Sequence, residues 1–86
     1  MKKNILMENI RGGITPEIDK FVDMSVAIAN RIYDILEIEN ISIKEFADKM
    51  GETEEQVTRW LSGTYTLDIE TIAKISVVLN RDIIIL

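Results

Sequence analysis

Residues 46–60, "FADKMGETEEQVTRW", decide how this chain folds. Phe46 and Met50 lie four apart with Ala47 beside them, which gives a short helix one apolar face. Gly51 can take the left-handed conformation that ends such a helix. Upstream, Ser42 and Glu45 have the spacing of a capping box, and Thr53 with Gln56 repeats it downstream. The stretch reads as helix 43–50, a turn centred on Gly51 and Glu52, and helix 54–62 ending at Gly63. So short a turn makes the two helices cross steeply. Ala47 keeps the first helix thin at the crossing, while Val57 and Trp60 share a phase that turns them into a common core. Glu54, Glu55, Thr58, Arg59 and Ser62 then face outward. The second helix opens on two acids.

Working outward, "ITPEIDKFVDMSVAIANRIYDILEIEN" starts with Thr15 at an N-cap position, Pro16 at the first helical position and Glu17 in the first turn. Apolar residues recur at three-and-four spacing from Ile18 to Leu36, and the helix should end near Asn40. Its apolar face is too wide for one small core. Met24, Val26, Ala27 and Tyr33 widen the main stripe and leave only a narrow polar strip, so the first half calls for cover from outside, most simply a second copy of the chain. At the other end, "RDIIIL" follows Asn80, a helix stop signal. Its β-branched run reads as a short buried strand. A strand needs a partner, either Asn4 to Ile10 or the same segment of a second chain. The expected dimer contacts are therefore Phe21, Val22, Ile83, Ile84 and Ile85.

Composition narrows what the chain can do. With 86 residues it makes one small domain, read as residues 1–86: N-terminal segment and long helix 1–41, two-helix region with its following helix 42–80, and C-terminal strand 81–86. There is no cysteine and no histidine, which removes disulfides, thiolate and imidazole metal sites, and cysteine or histidine catalysis. No clustered carboxylate, Ser or Lys motif and no glycine-rich phosphate loop remains to suggest an enzyme, and no cofactor or metal is expected. The apolar run near the N-terminus is too short for a signal peptide, and no stretch is long enough for a membrane span, so the protein is expected in the cytoplasm. The net charge of −5 gives no general attraction to nucleic acid.

Residues 42–80 resemble the helix-turn-helix domain of the Xre-type, phage-repressor-like family of small bacterial regulators and antitoxins. The resemblance rests on Ala47, Gly51, Val57 and Trp60, followed by "LSG" and the helix "TIAKISVVL". It implies an all-α, phage-repressor-like helix-turn-helix domain, here with a long N-terminal helix and a short C-terminal strand. It also implies that the second helix of the motif enters the major groove of double-stranded DNA and that dimers bind half-sites about one helical turn apart. Carried onto this chain, the base-reading positions are Thr53, Glu54, Glu55, Thr58 and Arg59. Phosphates fall to Ser42 and Lys44 at the start of the first motif helix, and to Thr64, Tyr65 and Thr66 in the loop beyond the second.

The chain departs from that pattern at its two glutamates, for which two readings stand. A carboxylate can accept from the exocyclic amine of cytosine; equally, acids belong in the first turn of any helix because they complement its dipole. Arg59 is the one basic residue of the outward set and suits guanine, while Tyr65 suits either a phosphate or the edge of the core. The function expected is a sequence-specific, dimeric transcription regulator on an inverted-repeat operator. The alternative is an antitoxin or other interaction module whose long helix masks a partner protein.

Overall fold

The computed structural model describes residues 15–85. Four helices are present: α1 (Pro16–Ile38), α2 (Ile43–Met50), α3 (Glu54–Trp60) and α4 (Ile69–Leu79). The starts follow the side chains that cap them. Thr15 accepts from the Ile18 amide at 3.1 Å, Ser42 from Glu45 at 3.0 Å, Thr53 from Gln56 at 3.1 Å and Asp68 from Thr71 at 2.7 Å. Each bond satisfies an amide that the helix itself cannot. The Ser42 box is complete, since Glu45 Oε1 accepts in return from the Ser42 amide at 2.9 Å. At Thr53 only the forward half forms.

Three helices end alike. After α1, Asn40 turns left-handed and the Ile41 amide reaches back to the Leu36 carbonyl at 2.8 Å; Gly51 after α2 and Asn80 after α4 do the same, with Glu52 reaching Ala47 and Arg81 reaching Ser76. Asparagine and glycine tolerate that conformation best, so these three residues fix where the chain changes direction.

Helix α3 stops at Trp60, two residues before the expected end. Leu61 caps it, and Ser62 closes a tighter turn onto the Arg59 carbonyl. Gly63 follows, buried and left-handed with φ +86, where an added Cβ would lie 3.2 Å from Val26 Cγ2. A glycine here thus serves both the turn and the close passage of the loop beneath α1.

One core joins the elements. Ile32, Ile35 and Leu36 of α1 pack with Phe46, Ala47 and Met50 of α2, Val57 and Trp60 of α3, and Ile72, Ile75 and Leu79 of α4. Trp60 is a core residue. Helix α1, however, contributes nothing buried before Ala29. Its first half leaves Phe21, Val22, Met24 and Val26 exposed.

The C-terminal segment differs from expectation. Residues 81–85 form no strand, and Ile83 is buried in the chain's own core. Side chains supply what a strand partner would have supplied. Ser76 Oγ accepts from the Ile83 amide at 3.2 Å, and the Arg31 guanidinium donates through two nitrogens to the Asp82 carbonyl at 3.0 and 3.2 Å. Arg81 adds a salt bridge to Glu39, tying the end of α4 to the end of α1. Ile83 is therefore spent on the monomer, and only Ile84 and Ile85 of the trio remain exposed. The strand partner considered at Asn4 to Ile10 lies outside the described residues.

Candidate nucleic-acid interface

Helices α2 and α3 pack against one another across the turn at Gly51, and α2 also packs against α4. Phe46 and Met50 hold the inner face of α2, and Val57 and Trp60 that of α3, all within the core. Opposite them lies the outer face of α3. Thr53, Glu54, Glu55, Thr58 and Arg59 are all exposed there. Because Val57 and Trp60 are locked, α3 cannot roll, and the direction of this row is fixed by the core.

The row is not a set of free charges. Arg59 Nη2 lies 3.5 Å from Glu55 Oε2, one turn earlier on the same face. Both side chains stay largely in solvent, Arg59 at 54% and Glu55 at 84%, so the pair adds little to stability. Its interest lies in presentation. A donor fork and an acceptor stand side by side on the exposed face of α3. Sequence reasoning placed both residues but not their pairing, although the spacing of four, acid first, is the signal for it.

The phosphate positions fall into two groups. Ser42 and Lys44 stand exposed at the start of α2, where Ser42 Oγ is engaged by the capping box. In the loop after α3, Thr64 is tied back to Ser62, its hydroxyl 3.2 Å from Ser62 Oγ and its amide donating to that same oxygen at 3.3 Å. Thr66 is exposed. Tyr65 lines an apolar groove with Phe21 and Met24 of α1, Leu67 and Ile84, and part of it stays in solvent.

Two contacts missed by sequence reasoning brace the motif. Lys74 Nζ donates to the Met50 carbonyl at 3.0 Å, tying the C-terminal end of α2 to α4. Asp68 caps α4, which begins at Ile69, two residues before the stretch "TIAKISVVL". Asp68 three residues before Thr71 was a legible signal for that start.

The caps also make stability depend on acid. The carboxyl of Glu45 is held below its ordinary pKa, first by the Ser42 amide and then by the Ser42 hydroxyl; that of Asp68 is lowered by the Thr71 hydroxyl and amide. A group whose folded pKa is depressed stabilises the fold above its unfolded value, about 4, and loses that contribution as pH falls through the lower folded value. Thermal melts between neutral pH and strong acid should show the midpoint falling once pH drops below about 4, the unfolded value, and this contribution exhausted below the lower folded value. Asp68→Asn together with Glu45→Gln keeps acceptors at both sites without titrating. The double variant should fall less steeply, and an unchanged acid slope would show that other groups govern it.

The four helices, the fixed second helix and its outward polar row define a helix-turn-helix protein. A family model for helix-turn-helix domains, HTH_3, matches residues 32–86, more than half of the chain. The chain belongs to this Xre-type helix-turn-helix family, a DNA-binding family. The match begins within the buried half of α1 and omits its exposed half. Comparison with curated proteins and with solved structures finds no match. Among the described residues, no helix is long and apolar enough to cross a membrane.

Proposed function

We propose that this chain is a sequence-specific transcription regulator that binds an inverted-repeat operator in double-stranded DNA as a homodimer. The observation that carries this reading is the exposed row from Thr53 to Arg59 on a helix whose opposite face is locked into the core. Residues 1–86 act as one domain, with 42–80 as the reading unit, 1–41 as the associating arm and 81–86 as its clasp. Thr53, Glu54, Glu55, Thr58 and Arg59 meet base edges; Ser42, Lys44, Thr64, Tyr65 and Thr66 meet the backbone and set the register. Occupancy alone, without chemistry, changes polymerase access.

Net charge −5 makes non-specific binding weak, because such binding depends on counterion release by basic contacts and few are present. Selection from a random duplex pool should enrich one inverted repeat, and titrations at fixed salt should separate it clearly from scrambled duplex. Arg59→Ala should cost roughly 1–3 kcal/mol on that site and relax preference at one base pair. Equal affinity for enriched and scrambled duplex would overturn the reading.

A second reading is favoured by the exposed Phe21, Val22, Met24 and Val26 on α1. In it the same surface masks a partner protein, as an antitoxin does, with or without DNA binding. Co-purification with the product of a neighbouring reading frame tests it.

A further inference from the structure

The two acids at the start of α3 leave a question that the pairing of Glu55 with Arg59 answers. An acid beside the one arginine of a reading face opposes approach to phosphate, and the helix dipole, which suits Glu54 and Glu55 alike, does not account for the pairing of one of them with that arginine. We infer that Glu55 and Arg59 read a single G·C base pair as one unit, Arg59 taking the guanine and Glu55 the cytosine. The inference rests on the DNA-binding reading above.

In the major groove a G·C pair presents the acceptors N7 and O6 of guanine and, beside them, the N4 donor of cytosine. O6 and N4 are hydrogen-bonded to each other, so they lie about 2.9 Å apart. Arg59 Nη2 and Glu55 Oε2 lie 3.5 Å apart on the same face of α3. A guanidinium forked onto N7 and O6 therefore leaves a carboxylate oxygen beside it, placed for N4. Donors meet acceptors at all three atoms.

Other pairs break the match. With A·T, the N6 amine of adenine occupies the place where Arg59 needs a second acceptor, and O4 of thymine faces the carboxylate, acceptor against acceptor. Reversing G·C to C·G exchanges the donor and acceptor positions and meets the fork with an amine. The unit thus discriminates orientation as well as composition. Glu55 also stands beside the arginine fork before binding, 3.5 Å from Nη2. Glu54 forms no salt bridge among the described residues, lies outside this unit, and as a first-turn acid also suits the helix dipole.

The test uses the full chain and the site enriched by the wild type. Wild type, Glu55→Gln, Arg59→Ala and the double variant are titrated at fixed salt against that site and its three single-base-pair variants at each position. Circular dichroism checks that each variant keeps its fold, as exposed substitutions should. Arg59→Ala is expected to reduce preference for one G·C pair by roughly 5- to 150-fold, and Glu55→Gln to reduce preference at that same pair by roughly 5-fold or more. The double variant should lose little beyond Arg59→Ala, since the two act together. If Glu55→Gln instead tightens binding to every sequence alike, or the two variants relax different pairs, joint reading is overturned while the regulator reading stands. If the wild type enriches no sequence, the regulator reading fails and the inference falls with it.

Discussion

Phe21→Glu combined with Met24→Glu is expected to turn the protein into a monomer and to weaken its hold on a full inverted repeat by roughly 10²–10⁴-fold. Both residues lie on the half of α1 that contributes no buried residue among the described ones. Phe21 is 38% exposed and Met24 55%, with Val22, Val26 and Ile84 also exposed. An apolar surface of this kind marks an interaction site in a folded protein. A second copy would bury it, and two glutamates would have to be desolvated for the copies to meet. The half-site is the control. Affinity for a single half-site should be unchanged, because α3 is untouched, whereas the advantage of the second half-site should vanish. Sedimentation at tens of micromolar reads the mass directly. A wild type that is already monomeric, or a double variant that still gains from the second half-site, would remove α1 as the dimer surface and leave it to another partner.

Phe46→Ala should cost about 3–5 kcal/mol, the range for deleting a fully buried aromatic ring. Phe46 has no exposed surface, and it lies on α2, the helix that packs against both α3 and α4. At about 4–8 °C of melting temperature per kcal/mol for a domain of this size, the midpoint should fall by about 12–40 °C. Phe46→Leu should cost less, since much of the volume is kept. Ile69→Ala is the surface control, being 81% exposed, and should stay within about 0.5 kcal/mol. The loss should appear in DNA binding at raised temperature as unfolding, with the base preference of the remaining folded protein intact. Urea unfolding that shifted by less than 1 kcal/mol for Phe46→Ala would mean that the core is organised about another residue.

Much of this was legible in order along the chain, because the deciding signals are local. A hydroxyl or carboxylate three residues ahead of an amide caps a helix wherever it occurs, which is why Thr15, Ser42 and Thr53 mark three of the four starts. Gly51, Asn40 and Asn80 mark ends for an equally local reason, the left-handed backbone. The phase of Phe46, Met50, Val57 and Trp60 placed the core and, by subtraction, the outward row. The excess of apolar residues on α1 was also visible as a stripe too wide for one partner. Asp68, three residues ahead of the Thr71 amide, marks the fourth start by the same local rule.

What the sequence by itself could not determine concerns the segment after Asn80. Three isoleucines in a row suit a strand, but a strand exists only where another backbone accepts its hydrogen bonds, and no local pattern names that partner. The fold answers with side chains distant in sequence: Arg31, 51 residues away, takes the Asp82 carbonyl, and Ser76 takes the Ile83 amide. Once those groups are satisfied, Ile83 turns into the core and the β-branched run has no need of a sheet. The pairing of Glu55 with Arg59 is decided partly the same way. Spacing permits it, but only burial of Val57 and Trp60 fixes which way the pair faces, since a helix free to roll has no outer side.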